Sequence, residues 1–345
     1  NQKTAYELLS GLVGSEMCIR DRCGPAIDKV PNNDLIILWG TNIVSTHVHM
    51  VPFVEEAKKR GAKIICIDPR ETRTAALSDW HIQPKPGTDA ALALGMMNEI
   101  VKNKKHDLAF LKKHTTGYKE FLDKILPKYT LDKVSRITGV KKADIKQLAH
   151  EYGSTKKTYI RPNYGLNRHR NGGMMVRSIM LLPAITGAWK NKSSGCFVGS
   201  IEEMWNVDLG KLQRPDLLGN KNPRSINMIQ IGNALNDKKL DPPIKSLFVW
   251  NSDIANCAPD SISVRKGLKR KDLFTVVHET FWTDSCDYAD IVLPADTQLE
   301  HMDLHAPYGH YYFSLTQPAI KPLGESKSNQ DLFRDLAKYM GYKDK

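Results

Sequence analysis

The sequence is poor in cysteine and has no long apolar run. Its six cysteines show no C-x-x-C spacing, so neither a zinc site nor an iron–sulfur cluster is predicted within it. No segment approaches the roughly 18 consecutive apolar residues of a membrane-spanning helix. A G-x-G-x-x-G turn and a Walker phosphate loop are also absent, which disfavours the ordinary nicotinamide- and ATP-binding proteins.

The chain is basic, with a formal net charge of +12. A surplus of this size suits phosphate-bearing ligands and nucleic acids alike. The lysines and arginines are spread along predicted helices and connectors, as at 58–60 and 269–271, which is typical of a solvated surface. Because no nucleic-acid-binding motif accompanies them, we predict no nucleic acid partner.

The segment 1–22 resembles translated adapter DNA. Read as codons, GTG GGC TCG GAG ATG TGT ATA AGA GAC AG encodes residues 13–21, and CAG AAG ACG GCA TAC GAG encodes residues 2–7. Both strings resemble adapters of short-read sequencing libraries, so we expect residues 1–22 not to be native and exclude them from reasoning about the fold. The alternative is a short natural amphipathic N-terminus. The other end offers no natural stop, and we expect an internal fragment.

The most informative feature of the sequence is a duplicated pattern. An apolar run at 34–39 ends in Gly40-Thr41-Asn42, and a later run at 246–250 ends in Asn251-Ser252. Each copy continues with a helical stretch, a second apolar run, a polar turn, an Asp, a third apolar run and a Pro. Alternation of this kind predicts βαβ units in parallel sheets, and its duplication indicates two equivalent ligand sites.

These patterns predict an α/β protein with two pseudo-equivalent Rossmann-like parallel-sheet domains and a helical insertion. In the first domain, strands are expected over 34–39, 62–67 and 158–161, and helices over 46–60, 90–102 and 172–189. The predicted limits are 23–190 for the first domain, 105–152 for the insertion within it, 191–241 for a connector and 242–345 for the second domain.

Polar residues at the expected strand ends are the candidate ligand-binding groups. In an open parallel sheet, ligands bind beyond the carboxyl ends of the strands, where helix N-termini present N–H groups that suit phosphates. Gly40-Thr41-Asn42 and Asn251-Ser252 have this position in the two copies. Each turn also fits a simple helix cap. Their order and duplication favour ligand sites.

Acidic residues follow the next predicted strands. Asp68 and Glu279 lie where a carboxylate commonly binds a ribose hydroxyl. Asp89, on a tight Pro/Gly turn, matches the pair of N–H groups on a guanine edge in geometry and in charge. Taken singly, Asp68 and Asp89 also fit helix caps.

With these motifs, the chain resembles the catalytic subunits of the molybdopterin oxidoreductases related to dimethyl sulfoxide reductase, formate dehydrogenase and nitrate reductase. The resemblance covers most of residues 33–342 in the family's order. The matching stretches are 38–42, 67–75, 86–92, 164–169, 289–295, 299–300 and 324–325.

The resemblance implies a bis(molybdopterin guanine dinucleotide) cofactor with molybdenum or tungsten, in which each pterin carries guanosine diphosphate. The residues implied for one arm are Gly40, Thr41, Asn42, Asp68, Arg70, Thr88 and Asp89. The residues implied for the other arm are Asn251, Ser252, His278, Glu279, His301 and Asn329.

A further matching stretch approaches the pterin and the metal in the family. Its implied cofactor-binding residues are Tyr164 and Asn167, and its candidate catalytic residues are Arg168 and His169. Histidine suits proton transfer near neutral pH, and arginine suits fixing an oxyanion. The resemblance implies two-electron oxygen-atom or hydride transfer on a small substrate. No metal ligand is nominated within this chain.

The family's metal-ligating residue, its N-terminal iron–sulfur cysteine cluster and its C-terminal barrel domain have no counterpart in this sequence. The resemblance also implies an iron–sulfur electron-transfer subunit and a membrane-anchor subunit as partners, in the cytoplasm or periplasm of a prokaryote. Two alternatives stay open. One is a non-catalytic scaffold, similar to the large peripheral-arm subunit of respiratory complex I; the other is a plain nucleotide-binding Rossmann protein.

Overall fold

The computed structural model describes residues 24–199, 222–305 and 310–342, which fold as two units. Unit 1 comprises residues 24–199 with 310–312, and unit 2 comprises 222–305 with 313–342. The predicted adapter segment 1–22 and part of the predicted connector 191–241 lie outside the described residues.

Apolar runs of unit 1 form a five-stranded parallel sheet. Its strands are β1 Leu35–Trp39, β2 Lys63–Ile67, β3 Trp80–Ile82, β4 Thr158–Pro162 and β5 Gly195–Cys196, in the order β3-β2-β1-β4-β5. Every residue of β1 is buried, as expected for a parallel strand that is covered on both faces. The predicted α/β class with parallel sheets is confirmed.

Helices cover both faces of this sheet. They are α1 Ile43–Thr46, α2 Val51–Lys59, α3 Arg73–Leu77, α4 Asp89–Lys102, α5 Leu108–His114, α6 Tyr118–Glu120, α7 Leu131–Thr138, α8 Lys142–Ser154 and α9 Gly172–Thr186. Short 3₁₀ turns lie at Ile27–Asn32, Val48–Met50, Leu126–Lys128, Tyr164–Arg168 and Ala188–Lys190, and a π turn lies at Phe121–Ile125.

Alternate residues of β1 enter two separate cores. Leu35, Ile37 and Trp39 pack with side chains of α4 and α7 to α9. Ile36 and Leu38 pack on the other face against α2. The period of two follows from the alternation of side chains along a strand. The helices of the predicted insertion 105–152 belong to the first of these cores.

Unit 2 contains a smaller parallel sheet. Its strands are β6 Ser246–Trp250, β7 Phe274–Glu279 and β8 Ile291–Pro294, in that spatial order, with a separate antiparallel pair β9 Asp303–His305 and β10 Ser314–Thr316. Its helices are α10 Ile231–Asn236, α11 Ile254–Cys257, α12 Ser261–Leu268 and α13 Asn329–Tyr339, with 3₁₀ turns at Met228–Gln230 and Cys286–Tyr288. Among all described residues, no helix is both long and apolar enough to cross a bilayer.

The paired strand residues of the two sheets have the same spacing along the sequence. Leu35 pairs with Lys63 in unit 1, and Ser246 pairs with Phe274 in unit 2. Both members of the second pair lie 211 positions after those of the first, as 246 does after 35 and 274 after 63. The same spacing relates the pair 65 and 80 to the pair 276 and 291. The first three strands of the two units are therefore aligned without insertion or deletion.

The limits predicted for the domains and the connector stay predictions. Strand β5 and helix α10 both fall within the range 191–241, and the described residues up to 199 belong to unit 1 while those from 222 belong to unit 2. The helix predicted over 172–189 ends at Thr186, because Gly187 adopts a left-handed C-cap with φ of 69°.

One carboxylate in each unit aligns the second and third strands. Asp79 Oδ2 accepts a hydrogen bond from the Ile64 amide at 2.8 Å, and Asp290 Oδ2 accepts one from the Thr275 amide at 2.7 Å. Each aspartate amide in turn donates to the carbonyl of the same partner residue. Burial opposes ionisation of Asp79, but Lys58 and the Ile64 amide outweigh it and hold the pKa of this carboxyl below its ordinary value.

We expect Asp79→Ala to lower the free energy of unfolding by about 1–2 kcal/mol, because the Ile64 amide loses a charged acceptor. Urea unfolding at neutral pH measures this. Since the folded-state pKa of Asp79 is lowered, the difference between variant and wild type should shrink as the pH falls through the acid range. Asp34→Ala, at an exposed residue just before β1, is the control. Equal stability of Asp79→Ala and the control would contradict this role.

Candidate functional site

A sharp turn at Gly40 ends β1 at the carboxyl edge of the sheet in unit 1. The Gly40 amide donates to the Ile67 carbonyl at 2.7 Å, and its φ is 59°. A Cβ at this position would lie 2.9 Å from the side chain of Leu166. Glycine is therefore required both by the left-handed backbone and by the close packing.

The side chains of the next two residues, Thr41 and Asn42, form hydrogen bonds with other residues of unit 1. The buried Thr41 hydroxyl accepts a hydrogen bond from Asn163 Nδ2 at 3.2 Å. Asn42 Oδ1 accepts one from Thr74 Oγ1 at 2.9 Å. These contacts fix the path of the turn, and they leave its backbone as the part that can face a ligand.

The turn after β2 is held by side chains of the third strand and the loop behind it. Asp68 Oδ1 accepts from the Arg70 amide at 2.9 Å. His81 Nε2 lies 2.9 Å from the Asp68 carbonyl, and Gln83 Nε2 donates to the Pro69 carbonyl at 3.3 Å. The Arg70 side chain is exposed.

Asp89 is the first residue of α4 and is buried next to β1. Its Oδ1 accepts a hydrogen bond from Trp39 Nε1 at 2.8 Å. Burial raises the pKa of the Asp89 carboxyl, although the indole N–H opposes the increase. In the preceding turn, the Thr88 hydroxyl donates to the Lys85 carbonyl at 2.6 Å.

A cleft of about 150 Å³ lies at this edge of the sheet. Four of the sequence-predicted site residues line it: Gly40, Asp68, Asp89 and His169. The other lining residues, which were not predicted as site residues, are Pro69, Pro84, Lys85, Pro86, Gly87, Gly165 and Leu166. All of them lie in segments that the sequence had marked, namely the Pro-Lys-Pro-Gly turn at 84–87 and the matching stretches 67–75 and 164–169. The lining residues thus include Lys85, whose side-chain carbons lie beside Gly139, and two acidic residues, Asp68 and Asp89.

The segment after β4 forms the 3₁₀ turn Tyr164–Arg168. A Cβ at Gly172 would lie 2.5 Å from the Asn167 Cα, so α9 begins directly against this turn. His169 reaches the cleft beside Gly87. The side chains of Tyr164, Asn167 and Arg168 are exposed and do not line the cleft.

In unit 2, three of the predicted residues form a hydrogen-bonded chain. His278 Nδ1 lies 3.0 Å from Asn329 Oδ1, and Asn329 Nδ2 donates to Asn251 Oδ1 at 3.3 Å. Asn251 has a φ of 52° at the position aligned with Gly40. His278 is buried, and its Nε2 atom has no hydrogen-bond partner among the described residues.

The other residues predicted in unit 2 do not join this chain. Ser252 is exposed. Glu279 Oε1 accepts from the amide of the next residue, Thr280, at 2.8 Å, whereas Asp68 accepts from the amide two residues on. His301 Nδ1 lies 2.9 Å from Asp296 Oδ1, so the structure connects His301 to Asp296 rather than to His278.

A larger cavity of about 1050 Å³ lies at the opposite, amino-terminal edge of the sheet in unit 1. It is lined by lysines, among them Lys104, Lys105 and Lys156, and α4, α8 and α9 all end beside it. The last carbonyls of helices carry partial negative charge, which lysines offset. The position of the lysines beside the helix ends therefore accounts for them, and no ligand is needed to explain them. Among described residues, no cluster of three or more His, Cys, Asp or Glu side chains could hold a metal ion.

The chain is similar to known proteins over most of its length. The family described as Molybdopterin oxidoreductase matches residues 13–339. A protein named probable oxidoreductase YoaE, from Bacillus subtilis, is 47% identical over 92% of this chain and 46% of its own length. Dimethyl sulfoxide reductase DmsA from Escherichia coli is 32% identical over 92% of this chain and 44% of its own length.

A solved structure, acetylene hydratase from Pelobacter acetylenicus, superposes with a TM-score of 0.72 at 24% sequence identity. That likeness covers 95% of this chain and 51% of the solved chain, and at this identity it supports the fold alone. The chain spans about half the length of the relatives it matches. On the family match, which covers most of its length, the chain belongs to the molybdopterin oxidoreductase family.

Proposed function

We propose that this chain is the central part of a catalytic subunit that binds bis(molybdopterin guanine dinucleotide) with molybdenum or tungsten. Its reaction is a two-electron oxygen-atom or hydride transfer on a small substrate. The observation that carries the proposal is the repeated strand-end turn: Gly40 and Asn251 are aligned and both have a positive φ. Two equivalent turns suit a cofactor with two similar arms.

The residues of both units fit guanosine diphosphate arms. In unit 1, the cleft is lined by Asp89, Asp68, Lys85 and the turn at Gly40. Asp89 suits the N–H edge of guanine, Asp68 suits a ribose hydroxyl, and the turn and Lys85 suit phosphates.

In unit 2, the buried Nε2 of His278 is a polar atom that an incoming hydroxyl or N–H group would satisfy. Glu279 takes the place of Asp68 at the end of the second strand. When bound, the metal–pterin group supplies the two-electron chemistry.

Arg168 and His169 are the proposed catalytic residues. Both are exposed at the carboxyl edge of the sheet in unit 1, and His169 borders the cleft. An arginine there can orient a polar substrate, and a histidine can move a proton at neutral pH. Iron–sulfur and membrane-anchor partner subunits are proposed by family only.

We expect Asp89→Asn to weaken binding of guanosine diphosphate at the unit 1 site by about 10- to 100-fold and to leave the unit 2 site unchanged, because an amide cannot accept both guanine N–H groups. Equilibrium dialysis of the 345-residue chain, with adenosine diphosphate in parallel, measures the loss and the guanine preference. Because the pKa of Asp89 is raised, wild-type affinity should fall as the pH is lowered toward the acid range. The affinity of Asp89→Asn should change little over the same range.

Glu99→Gln is the matched control, since Glu99 is a second buried carboxylate on α4 and does not line the cleft. It should bind guanosine diphosphate like the wild type. Equal binding of guanosine and adenosine diphosphate by the wild-type chain would contradict the guanine assignment.

In the enzyme encoded by the complete gene, we expect His169→Gln to lower kcat about 100-fold while the metal content stays unchanged, since a positioned acid or base contributes at least this factor. Dye-linked turnover with formate, nitrate or dimethyl sulfoxide as trial substrates measures kcat. Arg170→Gln is the control at a neighbouring exposed position. Unchanged turnover of His169→Gln would remove His169 from the mechanism, and a wild-type enzyme without metal would favour the scaffold alternative.

A further inference from the structure

In each unit, one side-chain hydroxyl that lies outside the strand-end turn forms two hydrogen bonds with the turn and the helix after it. Thr74 Oγ1 accepts a hydrogen bond from the Val44 amide at 3.3 Å and donates to Asn42 Oδ1 at 2.9 Å. In unit 2, Ser285 Oγ accepts from the Ala255 amide at 3.1 Å and donates to Asp253 Oδ1 at 2.7 Å. Both hydroxyl residues are buried.

The two arrangements are the same in sequence spacing as well as in chemistry. The amide and the hydroxyl residue are separated by 30 positions in both units. The turn side chain and the hydroxyl residue are separated by 32 positions in both. A hydroxyl can donate and accept at once, which neither a carboxylate nor a methyl group can do.

These contacts replace the ordinary local cap of the short helices that follow the turns. Asn42 precedes α1 and Asp253 precedes α11, and neither side chain caps its own helix. The cap comes instead from a residue that follows the second strand. The conformation of each turn therefore depends on a tertiary contact. In unit 1, the residue that makes this contact, Thr74, lies on α3.

We propose that Thr74 and Ser285 are equivalent positioning residues, each of which holds one turn in the conformation that binds a diphosphate. Thr74 serves the turn at Gly40-Thr41, and Ser285 serves the turn at Asn251-Ser252. The inference rests on the proposed function, because it assigns one guanosine diphosphate arm to each turn. Neither residue touches the ligand; each acts through the turn that it holds.

The variants are Thr74→Val and Ser285→Ala, which remove the hydroxyls, and Thr74→Ser and Ser285→Thr, which keep them. NMR of the 345-residue chain gives the amide exchange rates of Val44 and Ala255. Titration with guanosine diphosphate, followed at the amides of each turn, gives a separate Kd for each site.

We expect Thr74→Val to raise exchange at Val44 and to weaken guanosine diphosphate about tenfold at the unit 1 turn, leaving the unit 2 turn unchanged. Ser285→Ala should have the reverse selectivity. Thr74→Ser and Ser285→Thr should restore both exchange protection and affinity. Ser78→Ala is the control, because the Ser78 hydroxyl donates to the Thr74 carbonyl without reaching the turn.

The outcomes separate the two proposals. Faster exchange with unchanged affinity at the same turn would overturn the positioning role and leave the proposed function intact. Equal loss at both turns, or no rescue by the hydroxyl-bearing variants, would show a general loss of structure and would also overturn the positioning role. If the wild-type chain binds guanosine diphosphate at neither turn, the proposed function fails, and the inference fails with it.

Discussion

Burial of β1 on both faces is the constraint on which the rest of unit 1 depends. A strand whose every side chain is enclosed can offer a ligand only the backbone and the residues beyond its end. The chain must then turn within one residue, and Gly40 does so under Leu166. The Trp39 indole, itself buried, meets Asp89 at the same edge. Core packing and the candidate site thus share the same few residues.

Unit 2 repeats the turn with a less enclosed first strand. Trp250, aligned with Trp39, is 47% exposed and packs edge-on against Phe333 with ring centroids 5.2 Å apart. The aspartate that aligns the strands and the hydroxyl that closes the turn are nevertheless both present. In unit 2, local hydrogen bonds near the strand ends therefore define the turn although β6 is not completely buried.

The sequence predicted much of this arrangement, because strand ends and their order follow from apolar runs and turn residues. It could not predict that Asn42 and Thr41 are used for internal contacts, since a side chain that binds a ligand and one that fixes a turn have the same residue type. The helix predicted over 46–60 begins at Ile43 and is broken by a 3₁₀ turn before α2, which starts at Val51 and has Pro52 in its first turn. Thr74 and Ser285 were detectable only once the two copies were aligned position by position.

The aligned turns preserve geometry while they differ in charge. Thr74 donates to a neutral amide at Asn42, whereas Ser285 donates to the Asp253 carboxylate, which also accepts from the Ser285 amide at 3.1 Å. Both an amide oxygen and a carboxylate oxygen accept from a hydroxyl, so the change is compatible with the same turn. A carboxylate close to a phosphate costs about 1 kcal/mol at 4 Å even in water. Under the proposed assignment of one arm to each turn, the two arms would therefore meet turns that differ in charge at this one position, a carboxylate at Asp253 and a neutral amide at Asn42.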